Sequence, residues 1–545
     1  MTEPMECHCI RAADIPRTTP LYAAYLDHFS AVSEFYDHAP TYESVRRVAE
    51  GLQFDAGMRR QVVEVLRAEN RRFGAGAQVE SNLDRLAAGA VAIVTGQQVG
   101  LFSGPAYTIY KALTALRLAE DLSAAGKEAV PVFWLATEDH DLAEVNHCFW
   151  PTRNGPERLE LGAPESQTGR RVGAVSLGEP VDALVKRAVE LLEGPAAAEI
   201  SQILAETYAS SETYGSAFGK LMARLFAKRG LILLDPMAPE LHRLAAPLYR
   251  AALEQHAELR RDLLDRGKVL DRAGYDAQVK VTERGTLLFI DVDGKRQPLR
   301  VRPSRDNSDG FVLDGKTMAA EQVKNLLESS PESFSPNVLL RPVVQDLLLP
   351  TAAYVAGPAE VAYFAQASVV YRRLLGRVPV IMPRTSMTLV EPRVARLLRK
   401  YKLEFTDVLR GRRYLRSQME RALLPKALTG RFGAGEQTLR KMLAALRPPV
   451  TRLDASLSGA VDTAERKMLY QFSKLRDKAG RASAFRSGVL DAHEREIVGS
   501  LLPGGELQER SLCFLPALAA QGPALLDDLI PRISLGGVQH QVLYL

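Results

Sequence analysis

Cysteine is scarce in this sequence, with four residues among 545. So few cysteines cannot form the framework of a chain this long, which excludes a disulfide-stabilised secreted scaffold. Two of them flank a histidine in Cys7-His8-Cys9. Because no second Cys or His pair lies near this triplet, we predict no zinc site there, and we assign no metal ligands elsewhere.

The sequence also lacks a long apolar run and a strong net charge. Its longest uncharged stretch, residues 86–110, contains four glycines, a proline and two adjacent glutamines, which a lipid-facing helix would not carry at its centre. The N-terminus is acidic where a signal peptide would be basic. A net charge of +5 is too diffuse to indicate nucleic acid. We therefore expect a cytoplasmic protein with neither a membrane nor a nucleic-acid partner.

Short apolar runs alternate with helical segments, which predicts an α/β fold. Residues 91–94 and 130–135 are candidate buried strands, and a helix from Pro105 to about residue 125 connects them. Such a βαβ unit is parallel and right-handed. Further candidate strands, at 231–234, 337–340 and 378–382, predict a doubly wound core. We assign residues 1–395 to this core, with insertions at about 152–200 and 275–330.

A change of composition near residue 395 predicts a second domain. Strand signals end there, and apolar residues then recur at 439, 443, 446, 450, 453, 457, 460 and 464. This 4-3 spacing is a heptad seam, so residues 396–505 are predicted to form an antiparallel helical arm of coiled-coil type. One helix cannot bury the seam alone. A helix at about 412–430 would cover part of it, and a homodimer the rest; an ordinary helical bundle is the alternative. Residues 506–545 form a C-terminal return segment.

The first polar segment follows the first strand. Glycines let a backbone approach a ligand, and a helix N-terminus attracts anions. We therefore expect this turn and helix to bind an anionic group, although a structural turn with a solvated lysine is the alternative. On this hypothesis Lys111→Ala weakens ligand binding and leaves folding almost unchanged. The candidate binding residues are Gln97, Gln98, Gly100, Gly104, Thr108 and Lys111.

The second polar segment follows the next strand and is rich in acids and histidine. Clustered carboxylates suit acid–base catalysis or the binding of an amine or a metal. If residues 140–147 are helical, His140, Glu144 and His147 share one face, as in some zinc sites. The structural alternative is a helix cap with a solvated face and no ligand. The candidates here are Glu138, Asp139, His140, Asn146 and His147.

The third polar segment places charged residues in an otherwise apolar sequence, which predicts paired or ligand-facing groups. Glu360 opens a helix and could simply complement its dipole. The loop after the last predicted core strand is a further place where a ligand is expected. The candidates are Asn337, Arg341, Gln345, Asp346, Glu360, Tyr363, Arg384 and Ser386.

Several of these segments resemble one protein family. The blocks TGQQVGLFSGPAYTIYKALTA and PVFWLATEDHDLAEVNH, followed by LLRPVVQDLLLPTAAYVAGPAEVAY, MPRTSMTLVE and PGGELQER, are similar to those of the bacillithiol biosynthesis cysteine-adding enzymes, BshC. The resemblance implies a Rossmann-like core related to class I aminoacyl-tRNA synthetases, with connecting-peptide insertions and a coiled coil that dimerises.

The resemblance also implies an activity, the ligation of L-cysteine to glucosaminyl-malate, and an association with a nucleotide such as ATP or ADP. In this scheme the other candidates, including Asn146, bind substrate or nucleotide, and the catalytic residues are Lys111, Glu138, Asp139, His140 and His147. The ATP-binding HIGH and KMSKS signatures of class I synthetases are absent, since QQVG and RTSM stand in their places. A metal-dependent hydrolase or deacetylase built on the acidic cluster, and a non-catalytic coiled-coil scaffold, are the alternative functions.

Overall fold

The computed structural model describes residues 6–162, 165–302, 310–535 and 539–545. Its centre is a parallel five-stranded sheet. In spatial order the strands are Val380–Pro383, Thr351–Ala356, Val91–Gln97, Ala129–Leu135 and Ile232–Leu234. Every residue of the middle strand up to Gly96 is buried, as expected of a strand covered on both faces.

Helices cover both faces of the central sheet. Alternate strand residues pack against Tyr42–Gly51, Tyr107–Ala124 and Tyr214–Leu225 on one face. On the other face lie Ala56–Arg72, Ala77–Ala87, Pro239–Glu254 and Pro358–Leu374. The predicted α/β class with a Rossmann-like core is confirmed by this doubly wound arrangement.

One of the predicted core strands is wrong. Residues 337–340 form a turn before the helix Arg341–Leu348, and the strand of the sheet follows that helix at Thr351–Ala356. The side chain of Asn337 explains the turn, because its Oδ1 accepts hydrogen bonds from the backbone N–H groups of Leu339 and Leu340. Apolar composition alone does not reveal this local bond, which competes with strand pairing.

Two segments inserted between core elements carry their own structure. The first contains the hairpin His147–Trp150 with Glu157–Glu160, and the helices Pro180–Glu190 and Ala197–Thr207. The second is an antiparallel sheet whose strands are, in spatial order, Lys316–Ala319, Gly310–Leu313, Lys295–Val301, Gly285–Val292 and Phe334–Pro336. Asp293 and Gly294 join two of these strands with φ of 52° and 77°, the left-handed pair that a tight hairpin requires.

A small sheet joins the two ends of the chain. The strand Glu6–Arg11 pairs with Gln539–Tyr544, which pairs with Ser386–Val390. Cys7 and Cys9 lie exposed on the outer strand. The remaining helices are Pro20–Asp27, Leu142–Val145, His256–Arg272, Ala320–Ser329, Pro392–Tyr401, Phe405–Leu409, Leu490–Leu501, Gln508–Ser511, Leu515–Gln521 and Leu525–Leu529.

The coiled coil is an antiparallel pair of long helices, Lys426–Leu453 and Ser458–Ser487, with Arg412–Ala422 packed against the second. The prediction of a single continuous seam is wrong. The chain reverses at Asp454, whose carboxylate accepts a hydrogen bond from the N–H of Ser456. The seam therefore divides between two helices, and Pro448 and Pro449 lie within the first of them.

Candidate active site

The main cavity lies at the carboxyl ends of the central strands and has a volume of about 700 Å³. It opens where strand order reverses, between Val91–Gln97 and Thr351–Ala356. Ligands of open α/β sheets bind at this switch point, and the volume is typical of small-molecule sites. Gly96 borders the cavity, and a Cβ atom there would lie 2.9 Å from the Trp134 carbonyl oxygen. Only glycine fits at this position.

Lys111 projects from its helix into the wall of this cavity. Its ammonium donates to the Gly96 carbonyl at 2.8 Å and to Gln97 Oε1 at 2.9 Å, and lies 2.5 Å from Glu360 Oε2. Burial lowers the pKa of Lys111, while the Glu360 carboxylate opposes that shift. All three ammonium protons therefore face acceptors from the protein itself, so the structure gives Lys111 a bracing role that the sequence did not suggest.

Glu360 collects several donors at the same wall. Besides Lys111, it accepts a hydrogen bond from the Tyr354 hydroxyl at 2.7 Å and one from the Gly357 N–H at 2.7 Å. The second bond is the capping contact expected of an acid in the first turn of a helix. The structure thus gives Glu360 both a capping role and a place beside the cavity.

Arg341 lies across the cavity from the first strand. Its guanidinium donates to the Tyr363 hydroxyl at 2.9 Å and to Gln345 Oε1 at 3.2 Å, and it lies over the Trp134 ring. Gln345 and its neighbour Asp346 are fully buried behind it. They form a second layer that orients the arginine and do not line the cavity.

Glu138 presents the least satisfied carboxyl group of the cavity wall. Its side chain is 6% exposed, and Oε1 has no hydrogen-bond partner among the described residues. Burial raises the pKa of Glu138 to about 7, although Arg171 and Arg296 oppose the shift. A carboxyl group that titrates near neutral pH can both take up and release a proton under physiological conditions.

Asp139 connects Glu138 to the neighbouring loops. It accepts a hydrogen bond from Gln98 Nε2 at 3.0 Å, and its own Oδ1 accepts one from the His140 N–H. The His140 side chain does not line the cavity, and its Nδ1 lies 3.2 Å from a guanidinium nitrogen of Arg296. That arginine stacks over Phe289 at 4.0 Å from the ring centre and closes one side of the cavity.

Residues 140–147 do not form the continuous helix on which the zinc-face alternative depended. Only Leu142–Val145 is helical, and His147 begins the strand His147–Trp150. Asn146 bonds to the Leu161 carbonyl and to His147, so neither residue reaches the cavity. Within the described ranges, no three His, Cys, Asp or Glu side chains cluster closely enough to hold a metal ion.

The glycine-rich turn faces the core rather than the cavity. Gly100 and Gly104 pack against each other, and Gly104 has a φ of +64° that favours glycine. Thr108 is completely buried beside them. These three residues shape the turn, while Gln97, Gln98 and Lys111 from the same segment line the cavity.

Arg384 separates the main cavity from a smaller one of about 330 Å³. It makes a paired contact with Glu509, with N–O distances of 2.8 and 2.9 Å. Ser386 donates to the same carboxylate and lies 2.7 Å from His540 Nδ1. Ser386 therefore borders the smaller cavity, and this buried network fastens the C-terminal segment to the core.

Ten of the predicted residues line the main cavity, and nine lie elsewhere. Those that line it are Gln97, Gln98, Lys111, Glu138, Asp139, Asn337, Arg341, Glu360, Tyr363 and Arg384. Those placed elsewhere are Gly100, Gly104, Thr108, His140, Asn146, His147, Gln345, Asp346 and Ser386. Sequence reasoning missed the lining residues Tyr107, Trp134, Phe289, Arg296 and Tyr354. An aromatic in a buried strand looks like core, and only the position of Trp134 near a strand's carboxyl end could have drawn attention to it.

Comparison with known proteins identifies the family. The model of the bacillithiol biosynthesis BshC N-terminal Rossmann-like domain matches residues 5–385, and that of the BshC C-terminal coiled-coil domain matches residues 387–545. The chain belongs to the BshC family. Relatives from Koribacter versatilis and Solibacter usitatus both carry the name "Putative cysteine ligase BshC". The one from Koribacter versatilis is 43% identical over 96% of this chain and 97% of its own length. The one from Solibacter usitatus is 38% identical over 99% and 100%.

Membership confirms the predicted resemblance, the Rossmann-like core and the coiled-coil domain, and it makes the chain an enzyme of bacillithiol biosynthesis. The main cavity lies wholly within the range that the Rossmann-like model matches, apart from Arg510. Among the described helices, none has the length and apolar character needed to cross a membrane.

Proposed function

We propose that this protein is a ligase that joins the carboxyl group of L-cysteine to the amine of glucosaminyl-malate, in the last step of bacillithiol formation. The observation that carries the proposal is the main cavity of a BshC-family Rossmann-like core, which has an acidic corner and an arginine-lined wall. Amide formation between an amino acid and an amino sugar malate needs both, because its substrates carry ammonium and carboxylate groups.

The acidic corner suits an amine. Glu138 lines the cavity with a side chain that is 6% exposed, and Asp139 lies beside it. A substrate ammonium bound there loses a proton to Glu138, and the resulting amine has the lone pair that attack on an acyl carbon requires. Proton transfer by a positioned group contributes about 10²- to 10⁴-fold to rate.

Two arginines of the cavity suit carboxylates. Arg341 and Arg296 are each held by protein acceptors on part of the guanidinium, and both line the cavity. An arginine fixed in this way is preorganised for a carboxylate, since the guanidinium matches its two oxygens. We assign malate recognition to these arginines together with Asn337.

Amide formation from a free carboxylate needs activation, and we propose a nucleotide such as ATP as its source. The main cavity does not provide a phosphate cradle. The glycine-rich turn faces the core, the Gly357 N–H is bonded to Glu360, and Lys111 is engaged by protein acceptors. Because the residues do not fit a triphosphate in this cavity, we derive no step through the nucleotide.

Incubation of the purified enzyme with L-cysteine, glucosaminyl-malate and ATP tests the proposal, with products followed by mass spectrometry. We expect a product mass equal to the two substrates less one water. Omitting each component in turn shows which are required, and Arg341→Met should raise the KM for glucosaminyl-malate more than that for cysteine. A complete mixture that yields no amide would contradict the assigned activity.

We also propose that the arm forms a homodimer. Several large apolar side chains of the arm are exposed: Leu428, Met442, Leu446, Leu453, Met468, Tyr470, Leu475 and Phe485. Burying this row against a second copy would remove it from water. We expect sedimentation at twice the chain mass at micromolar concentration. The double change Leu446→Glu with Leu475→Glu should yield monomers, whereas Leu428→Gln alone should not. A full-length monomer would refute the dimer.

A further inference from the structure

A histidine lies directly behind the free oxygen of Glu138. His242 belongs to the helix Pro239–Glu254 and is 2% exposed. Its Nε2 is 3.5 Å from Glu138 Oε1. Neither ring nitrogen has a partner at full hydrogen-bond geometry among the described residues, although the Phe334 backbone lies close enough to favour the protonated ring, and the Glu138 oxygen has no partner either. Two buried polar groups without partners destabilise the folded state unless they form a hydrogen bond with each other.

The surroundings of this pair are strongly charged. Arg171 Nη1 lies 4.0 Å from the same Glu138 oxygen, while Arg171 Nη2 donates to the carbonyls of Glu332 and Ser333. Asp291 lies 3.9 Å from Arg171 Nε. The other charged or titratable groups around the pair are Asp235, Arg296, Arg341 and Tyr249.

The His242 ring is uncharged at neutral pH. Burial and the positive charge of Arg171 lower the pKa of His242 to about 3, so it carries a single ring proton at neutral pH. With that proton on Nε2, the ring presents a donor to Glu138 and adds no charge. With the proton on Nδ1, Nε2 would face the carboxylate with a lone pair, which is the less favourable arrangement.

We propose that His242 is a positioning residue whose Nε2–H holds the Glu138 carboxylate in place for proton transfer. This inference rests on the proposed function for its role in ligation. The substrate ammonium gives one proton to Glu138, the amine lone pair forms the new C–N bond, and the leaving group departs from the activated carboxyl with its bonding electrons. The second proton that the nitrogen loses goes to the leaving group, and Glu138 then releases the first proton to solvent. The His242 proton stays on the ring throughout.

Two substitutions of His242 distinguish a role as hydrogen-bond donor from a role that depends only on the volume of the side chain. His242→Phe keeps a ring and removes the donor, whereas His242→Gln places an amide N–H near the position of Nε2. In the Phe variant we expect kcat to fall ten- to a hundredfold with little change in KM, and the acid limb of the kcat profile to move up by about one pH unit. The direction follows because a carboxylate without its donor is less stabilised and binds a proton more tightly. The Gln variant should recover most of both losses.

A control variant and a readout without substrate complete the test. His256→Gln changes a half-buried histidine that bonds to the Leu253 carbonyl and should leave the profile unchanged. Carbon-13 carboxyl titration of the substrate-free protein, with the Glu138 signal assigned by its loss in Glu138→Gln, should show a higher midpoint in His242→Phe than in the parent.

The outcomes distinguish the two proposals. Absence of ligase activity in the parent would defeat the proposed function while leaving the titration to decide the role of His242. Equal midpoints in the parent and both variants would overturn the positioning role, as would equal losses of kcat in the Phe and Gln variants. If His242→Phe does not fold, the midpoint and profile of His242→Gln against the parent decide: both stay within a few tenths of a pH unit on our inference, and a larger shift contradicts it.

Discussion

Glu138→Gln should slow ligation by orders of magnitude and at the same time stabilise the folded protein above neutral pH. Burial raises the pKa of Glu138 from 4.5 to about 7, so the folded state retains this proton while the unfolded state releases it between those values. Stability from this group is therefore present below pH 4.5, falls as pH rises to 7 and is constant beyond. A shift of this size corresponds to a loss of about 3 kcal/mol in the parent's free energy of unfolding as pH rises. The Gln variant does not undergo this loss, because glutamine does not ionise.

Urea unfolding at a series of pH values measures this effect. The difference in free energy of unfolding between Glu138→Gln and the parent should grow from pH 4.5 to 7 and then level off. Glu64→Gln is the matched control, because Glu64 is exposed on the helix Ala56–Arg72 and should show no such trend. Activity should fall by about 10²- to 10⁴-fold, the usual contribution of proton transfer. A variant with full activity, or with a pH-independent difference, would refute the assignment.

The sequence was informative where a single segment determines its own structure. The buried strand, turn and helix of residues 91–125 could be predicted because β-branched residues, glycines and Pro105 act locally. The segment 337–340 could not, since a side-chain bond from Asn337 forms a turn there. The coiled-coil seam failed for a related reason: spacing does not show that the chain reverses at Asp454.

The candidate site was predictable in part for a similar reason. Polar residues at strand ends, such as Gln97 and Glu138, follow from the rule that ligands bind at the carboxyl edge of the sheet. Arg171, Arg296 and His242 come from insertions and from a distant helix, and their sequence neighbourhoods resemble ordinary surface or core. Whether the Lys111 ammonium binds a ligand or pairs with a protein carboxylate depends on Glu360. That residue lies 249 positions away, so no local sequence pattern connects the two.

Lys111→Met is the substitution that separates these two roles for the lysine. The sequence hypothesis expects weaker ligand binding with nearly unchanged folding. The structure instead predicts a loss of folding stability. The ammonium lies 2.5 Å from Glu360 Oε2, and the lysine is only 3% exposed in the cavity wall. Removing one partner of such a pair leaves a largely buried carboxylate without its counter-charge, which typically costs 3–5 kcal/mol. We expect a loss of about 3 kcal/mol, since the cavity lets water reach Glu360.

The double variant Lys111→Met with Glu360→Gln tests whether that loss comes from the stranded charge. A neutral glutamine can still accept hydrogen bonds from the Tyr354 hydroxyl and the Gly357 N–H, which Glu360 accepts in the parent. The double variant should therefore be more stable than Lys111→Met alone, with a coupling energy of about 2 kcal/mol between the two sites. Thermal and urea unfolding of the four proteins measure the cycle. If Lys111→Met unfolds like the parent and only substrate binding weakens, the ammonium serves a ligand and the bracing role is wrong.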